Sequence, residues 1–408
     1  MRAYVTVLRT PGALAFCAAG LLARFGGAMV GIGTVLMVSS LYGSYGLAGG
    51  LAAANAVAWA IGTAILSHLV DLHGQRRIML PAALISAGAL AVMVVLAFFH
   101  APVITLFVLT AISGFTGGSP GSMVRARWNY VLDSSRDLHT AFSLESTLDE
   151  LCFVAGPVLA TWFATTVHPT AGLVGPVVFG IGGALVFYSL VATQPPVIPP
   201  DPAEKGPSRL VVLYPGMAPV VGVGLLMGCM FGSLDVTIVA AMTAWDARSQ
   251  AGLVLGVMSF GSALGGLLYG ARGWTSALWK RFTVGVALLG FTVAFLYFAT
   301  SPLVLAGFGF IMGMTVAPTF INANGLIGRL VPPNRLTEGL AWLGTAIGIG
   351  VSLGSTVAGQ VIDVAGHRGG LYCGIASGLL ACLLGVATAP LLKRITGQEA
   401  VAGASPTE

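Results

Sequence analysis

Four charged residues lie deep inside long apolar stretches of this chain. Arg24 interrupts the first stretch, Asp149 and Glu150 fall within the fifth, and Asp235 falls within the seventh. A charge at the centre of a membrane-spanning helix costs about 2.5–3.5 kcal/mol on insertion scales, so each of these groups needs a partner or a wet cavity. Guanidinium and carboxyl groups in such places bind ions or polar substrates, or carry protons.

Two interpretations of Arg24 follow from the positions of its possible partners. It forms a structural ion pair with Asp149 or Glu150, or it supplies a positive charge that binds an anionic substrate group or tunes a proton-carrying carboxylate. Burial and a neighbouring cation act in opposite directions on the protonation of a carboxyl group. The sequence therefore predicts that Asp149 or Glu150 takes up and releases protons.

Asp235 has no lysine or arginine within one or two helical turns. An acidic residue without a nearby cation in an apolar helix indicates a functional site. We expect Asp235 to contact a cationic or hydrogen-bonding substrate and to take part in proton coupling. The alternative is a neutral aspartic acid that is hydrogen-bonded to serines or to the backbone.

Glu145 lies one helical turn before Asp149 and shares its face of the fifth apolar stretch. It is nearer to the end of that stretch, within expected reach of Arg125 or Arg127. These residues predict a structural or gating network.

Amide and indole groups near the middle of other apolar stretches complete the candidate substrate site. Asn55 and Trp59 are one helical turn apart, and Asn322 and Asn324 follow Pro318, where a freed backbone carbonyl is also available to a ligand. Each amide is equally able to hold two helices together. The residues predicted to contact substrate are Arg24, Asn55, Trp59, Asp235, Asn322 and Asn324.

The elements that carry these groups are predicted to be transmembrane helices. Apolar residues make up 56% of the chain and charged residues only 8%, and mean hydropathy is +0.91. Stretches of about 20 apolar residues, the length that spans a bilayer, recur along the whole chain. The sequence predicts an all-α polytopic membrane protein with twelve such helices, near 12–40, 46–70, 77–99, 101–124, 139–166, 171–193, 212–244, 250–270, 281–299, 302–328, 336–362 and 370–392.

A proline-rich segment divides the chain into two similar halves. Six prolines fall between residues 195 and 207, a composition typical of a semi-rigid linker. We therefore expect six-helix bundles at 1–193 and 211–408, related by pseudo-symmetry, and a cytoplasmic linker at 194–210. Two equivalent bundles around a central site are a common transporter plan.

Positive charge is sorted between alternate loops. Of the 19 Lys and Arg residues, 16 fall in one set of loops and ends, whereas only Arg248 and Arg368 fall in the other. Because Lys/Arg-rich short loops stay on the cytoplasmic side, both termini are predicted to be cytoplasmic in a multi-pass cell-membrane protein. The net charge of +5 is consistent with contact to anionic lipid, and no basic patch with interleaved aromatic residues indicates nucleic acid.

The sequence predicts no cofactor, metal or enzymatic centre. No nucleophile–base pair, metal-ligand spacing or phosphate-binding loop is present, and all five cysteines lie within apolar segments. We expect a monomer whose partners are a small-molecule substrate, protons and lipid.

The segment from Ser67 to Arg77, Ser-His-Leu-Val-Asp-Leu-His-Gly-Gln-Arg-Arg, resembles the G-x-L-x-D-R-x-G-R-R signature of the major facilitator superfamily. Asp71, Gly74 and Arg76 match the signature, whereas Gln75 departs from it. The resemblance implies the fold of that superfamily. It also implies that Asp71 and Arg76 act as a latch across a tight turn at Gly74.

The fifth helix contains Cys152-Phe-Val-Ala-Gly156-Pro157-Val-Leu-Ala160, which is similar to the G-x-x-x-G-P-x-x-G pattern of the superfamily's drug–proton antiporters. In this pattern Gly156 permits close helix contact and Pro157 bends the helix, so both are assigned to gating. The arginine that proton-coupled members carry in helix 4 would fall near Thr110 and is missing.

The resemblance implies secondary active transport by alternating access. Proton-coupled efflux of a small amphipathic organic molecule is the expected function. The missing arginine at Thr110 favours the alternative of uptake or facilitated diffusion of a small metabolite. A third alternative is a membrane sensor or partner protein that transports nothing.

Overall fold

The computed structural model describes residues 2–43, 45–197, 210–247 and 250–402, and its regular elements there are all helical. The chain forms α1 (Arg2–Leu8), α2 (Ala13–Tyr42), α3 (Tyr45–His73), α4 (Gln75–Phe98), α5 (Val103–Gly117), α6 (Pro120–Val131), α7 (Ser135–Thr166), α8 (Val174–Ser189), α9 (Met217–Ala244), α10 (Ala251–Ala271), α11 (Leu278–Ala294), α12 (Pro302–Leu330) and α13 (Leu336–Ala402). Short 3₁₀ turns lie at Pro169–Leu173, Val191–Thr193, Val211–Leu213, Phe295–Phe298 and Pro333–Arg335.

The predicted all-α membrane fold is confirmed, with one difference in how the last two helices are joined. Eleven helical segments of the described chain are long and apolar enough to cross a membrane, and the last of them, Pro333–Thr396, is 64 residues long. Within it the backbone leaves the helical conformation at Gly366 (φ 66°, ψ −172°), so two helices meet at a kink. When the two helices of this last segment are counted separately, the number of segments is twelve, as predicted. The sequence predicted a longer connection between them, from 362 to 370.

Two compact units make up the chain. The first unit contains Met1–Leu138 and Leu148–Pro199, and the second contains His139–Thr147 and Pro200–Glu408. The start of α7 therefore groups with the second unit, a feature that the sequence did not predict. Residues 198–209, most of the proposed 194–210 linker, lie outside the described residues, as does Arg248, so the linker stays a prediction.

Several helices begin and end at residues whose chemistry suits a terminus. The Ser134 hydroxyl accepts a hydrogen bond from the Asp137 amide (3.4 Å) at the start of α7, and the Ser301 hydroxyl accepts one from the Val304 amide (3.4 Å) at the start of α12. Helix α2 ends at Gly43, whose φ of 66° suits glycine. These local signals fix the boundaries of helices that are otherwise apolar on all faces.

Glycines allow the closest helix contacts in the second unit. A Cβ atom at Gly228 or Gly232 of α9 would collide with backbone carbonyls of α13, and one at Gly350 or Gly354 of α13 would collide with those of α9. Helices α10 and α12 show the same arrangement, for example at Gly265. Small residues that let backbones touch are the usual basis of helix association in membranes.

Candidate functional site

Asp149 bridges two arginines inside the first unit. Its Oδ1 atom accepts a hydrogen bond from Nη1 of Arg24 on α2 (2.6 Å), and its Oδ2 atom accepts one from Nη2 of Arg125 on α6 (2.7 Å). Both distances are typical of charge-assisted hydrogen bonds. The structure therefore pairs Arg24 with Asp149. It also brings in Arg125, which the sequence analysis had associated with Glu145.

The surroundings of this Arg24–Asp149–Arg125 cluster are built to hold the two guanidinium groups side by side. Arg24 Nε donates to the Gly20 carbonyl (3.2 Å), and Arg125 Nη1 donates to the Gly121 carbonyl (3.3 Å). A Cβ atom at Gly121 would lie 3.1 Å from Arg125 Nη1 and 3.6 Å from Arg24 Cδ. A larger residue than glycine there would crowd both arginines.

The fourth transmembrane span is broken just before the segment that carries Arg125. Helix α5 ends at Gly117, Gly118 adopts a φ of 61°, and α6 begins at Pro120, a residue suited to a helix start. A broken helix inside an apolar bundle leaves carbonyl groups that need donors. The break therefore needs supporting side chains from neighbouring helices.

Trp59 of α3 supplies a donor at the break, and Asn55 of α3 supplies one within α5. The Trp59 indole Nε1 donates to the Gly118 carbonyl (2.8 Å), and the Asn55 side-chain amide donates to the Thr110 carbonyl (3.2 Å). Both residues were predicted to contact substrate. Their donors serve the α5–α6 segment instead, so the structure favours the helix-holding alternative, and a substrate contact stays a prediction.

Arg127 forms a second buried cluster that sequence reasoning missed. The side chain is inaccessible, and its guanidinium donates to Gln75 Oε1 (2.8 Å), the Leu190 carbonyl (2.8 Å) and Thr193 Oγ1 (2.9 Å). It also lies 4.0 Å from the centre of the Phe187 ring. The one available signal was Gln75, which departs from the family signature because it receives Arg127.

The turn between α3 and α4 has the conformation that its glycine predicts. Gly74 has a φ of 88°, and a Cβ atom there would lie 2.7 Å from Gln194 Nε2. The Arg76 amide donates to Gln194 Oε1 (3.1 Å), whereas the Arg76 side chain is exposed and Asp71 is half-buried. Gln194 is thus an unpredicted neighbour of this turn, and the latch role of Asp71 and Arg76 stays a prediction.

The remaining gating candidates lie on α7. Glu145 is fully buried, and the two arginines expected near it have the partners described above. A Cβ atom at Gly156 would lie 3.0 Å from the Ala28 side chain of α2, a close helix contact. Pro157 lies inside α7, which continues to Thr166. Gating by these residues stays a prediction.

Asp235 of α9 is exposed in the second unit and makes no hydrogen bond or ion pair with any residue of the described chain. It lies one turn beyond Gly232, where α9 touches α13. Phe231, one turn earlier, is 6.1 Å from Phe320 of α12, measured between ring centres. Asp235 is therefore exposed one helical turn from an aromatic pair.

Both asparagines of α12 are engaged in packing. Asn322 is fully buried, and its amide donates to the Tyr269 hydroxyl (2.9 Å) and to the Pro318 carbonyl (2.8 Å). The Asn324 amide donates to the Phe320 carbonyl (2.8 Å) of its own helix. For these two residues the structure favours the packing alternative, and a substrate contact stays a prediction.

The carbonyl group freed by Pro318 is also covered. Proline has no amide to donate, so the Met314 carbonyl lacks its usual helical partner. The Cα atom of Gly265 on α10 packs against it, where a Cβ atom would collide. The structure therefore does not leave this carbonyl open to a ligand.

The first turns of α7 cap the carboxyl end of α10 in the second unit. His139 Nε2 lies 3.4 Å from one carbonyl oxygen of the last turns of α10, Thr140 Oγ1 donates to another (3.1 Å), and Ser143 Oγ donates to a third. Carbonyl groups at a helix end lack intrahelical partners, so these side chains satisfy them.

Metal binding has no support in the part of the chain that the structure describes. No group of three His, Cys, Asp or Glu residues there is positioned to hold an ion, and the five cysteines are free thiols. The polar chemistry of the described residues is concentrated in the arginine clusters, Asp235 and Asn322.

Comparison with known proteins gives one family and a shared fold. The family model described as Major Facilitator Superfamily matches residues 220–406. The human organic anion transporter MFSD10 (TETRAN) is 16% identical with a TM-score of 0.67, over 94% of this chain and 99% of that one. A bacterial homologue of the iron transporter ferroportin, in an outward-facing state, is 15% identical with a TM-score of 0.73, over 92% of this chain and 98% of that one. No curated protein sequence matches.

Proposed function

We propose that the chain is a member of the Major Facilitator Superfamily, whose family model matches residues 220–406, and that it is a proton-coupled secondary transporter and not an enzyme. It works by alternating access and exports a small amphipathic organic molecule. Export is the direction that the antiporter-like pattern around Gly156 and Pro157 favours.

The observation that carries this proposal is the state of Asp235. Its carboxyl group is exposed within an otherwise apolar helix and has no partner among the described residues. Such a group is able to exchange a proton or to bind a polar substrate, because no structural hydrogen bond has to be broken first. Proton and substrate then occupy Asp235 alternately, which couples the inward movement of one to the outward movement of the other.

Uptake of an organic molecule together with protons is the second candidate. The observation that favours it is the Arg24–Asp149–Arg125 cluster, in which two cations share one acid. One relative by fold is an organic anion transporter, although identity is only 16%. The two candidates differ in the direction of transport under the same pH gradient.

The remaining features of the proposal follow from the sequence. The protein lies in the cell membrane with both termini cytoplasmic, surrounded by lipid, and acts as a monomer. Its positive charge faces the anionic cytoplasmic leaflet.

Transport by purified protein in liposomes tests the function. A panel of labelled amphipathic compounds is offered with and without an imposed pH gradient, acidic on either side. Asp235→Asn is expected to abolish the response to the gradient while the protein still folds, because the amide cannot carry a proton. The matched control is Asp246→Asn at the far end of α9, where a positive φ of 52° suits asparagine as well as aspartate.

The outcomes separate the candidates. Export driven by an inward proton gradient supports the first candidate, and accumulation under the same gradient supports the second. Gradient-driven flux that persists in Asp235→Asn contradicts the role of Asp235. Absence of flux for every compound favours the non-transporting sensor or partner.

A further inference from the structure

We propose that Arg24 and Arg125 bind the carboxylate group of an organic anion, which takes the place of Asp149 when Asp149 is protonated. The inference rests on the second candidate function, uptake of a small organic molecule together with protons. It adds the charge class of the substrate and the residues that recognise it. All three residues lie within the first unit.

The binding geometry is that of a ligand carboxylate. Each oxygen atom of Asp149 receives a hydrogen bond from a different arginine, at 2.6 and 2.7 Å. The two guanidinium groups come from different helices, α2 and α6, and both donate to this carboxylate. An exogenous carboxylate in the same position would satisfy the same two donors without any change in the arginines.

The exposure of the three side chains shows from which side an anion would arrive. The Asp149 side chain is 26% accessible, whereas those of Arg24 and Arg125 are 8% and 11% accessible. Asp149 is therefore the most accessible member of the cluster. A solute that approaches the cluster meets the aspartate first, and rotation of that one side chain would uncover both guanidinium groups.

The site retains donor capacity beyond what Asp149 uses. Arg125 Nε is buried and has no hydrogen-bond partner. An unsatisfied buried donor is unfavourable, and a guanidinium presents five N–H groups. A ligand carboxylate that sits deeper than Asp149 would pair this donor as well. The amino-terminal end of α6 lies beside the site and adds a positive potential.

Charge balance links the anion to a proton. The three groups carry two positive charges and one negative charge, and the same sum holds when the proton is on Asp149 and the anion is on the arginines. Because this exchange leaves the net charge of the buried cluster unchanged, proton and anion are expected to bind together. The other Asp, Glu, Lys, Arg and His residues on the three helices are Arg127, which is engaged by Gln75, and Arg136, Asp137, His139, Glu145 and Glu150 of α7, of which Glu145 is buried.

Ligand binding to the purified full-length protein in lipid nanodiscs tests the inference. The probe is benzoate, with benzamide as its neutral isostere and benzylamine as a cation, measured by calorimetry at about pH 6 and about pH 8. Benzoate is expected to bind at least about tenfold more tightly than either analogue, and more tightly at the lower pH. Uptake of one proton per anion weakens the apparent affinity by up to about tenfold per pH unit as pH rises.

Substitutions separate this mechanism from a purely structural ion pair. Asp149→Asn removes the competing carboxylate, so benzoate is expected to bind this variant with little pH dependence and at least as tightly as the wild type does at the higher pH. Arg24→Gln and Arg125→Gln are expected to lose binding by about tenfold or more. Asp133→Asn, an exposed acid before α7, is the matched control and retains wild-type binding.

The inference is overturned if the wild type binds benzamide as well as benzoate, if benzoate affinity does not depend on pH, or if Asp149→Asn melts at a lower temperature without any gain in binding. The wild-type measurements need no variant, so poor folding of a substituted protein does not block the test. Binding without flux in liposomes would contradict the proposed function alone. Proton-coupled flux of other compounds without benzoate binding would contradict this inference alone.

Discussion

At the scale of single residues, the chain treats its buried arginines in two different ways. Arg24 and Arg125 share an accessible acid, whereas Arg127 is fully enclosed and donates to neutral oxygen atoms. A charge that is paired with a removable partner is suited to ligand exchange. A charge that donates to several fixed neutral neighbours is suited to holding helices together.

Arg127 is therefore expected to be a stability residue. Arg127→Met keeps much of the side-chain volume but leaves the acceptors of Gln75, Leu190 and Thr193 without their donor, at about 1–3 kcal/mol for each buried group left unsatisfied. The apparent melting temperature in detergent should fall clearly. Arg77→Met, on an exposed side chain of α4, is the control and should stay within about 0.5 kcal/mol of the wild type. Equal melting temperatures would show that the Arg127 cluster contributes nothing to stability.

At the scale of helices, close approach depends on particular glycines and not on glycine content. Glycines recur along α13 at Gly344, Gly348, Gly350 and Gly354. In the structure, Gly350 and Gly354 face carbonyls of α9, whereas a Cβ atom at Gly344 would meet nothing within 4 Å. The periodic pattern identified the helix, but only the partner helix decides which face is in contact.

A matched pair on α13 tests this distinction. Gly354→Ala places a methyl group against the Cys229 carbonyl and should force α9 and α13 apart, lowering the melting temperature. Gly359→Ala lies in open space on the same helix, so it should be neutral, or stabilising by up to about 1 kcal/mol through helix propensity. Similar effects of the two substitutions would mean that the α9–α13 contact is not tightly packed.

At the scale of the whole molecule, the charge distribution predicts orientation in the membrane. Loops rich in Lys and Arg are retained in the cytoplasm during insertion, and 16 of the 19 cations lie in one set of loops and ends. The described helices are consistent with twelve crossings, an even number that returns the chain to its starting side.

Protease accessibility of epitope tags tests the orientation. Tags at the two termini are expected to resist protease added to intact cells and to be cleaved after the membrane is permeabilised. A tag inserted after Gly43, between α2 and α3, is the control and should be cleaved in intact cells. Cleavage of a terminal tag before permeabilisation would show that this terminus faces the outside, which contradicts the predicted topology.

The sequence by itself determined the class of this protein. The length and recurrence of apolar stretches require transmembrane helices, since every backbone polar group inside a bilayer must be satisfied within the fold. The Asp71–Arg76 turn carries the resemblance to the superfamily, and the cost of burying charge singled out Arg24, Asp149 and Asp235. These inferences depend only on local composition and on the membrane as a solvent.

Tertiary structure decided what each of these groups touches. Asp149 pairs with Arg125 as well as Arg24, Trp59 donates to the break at Gly118, and Gln75 receives Arg127. All three contacts depend on helix rotation and crossing. An all-apolar helix shows no hydrophobic face in its sequence. Its rotation is set by the partner helices and their small residues, so side-chain contacts between distant segments exist only once the bundle is assembled.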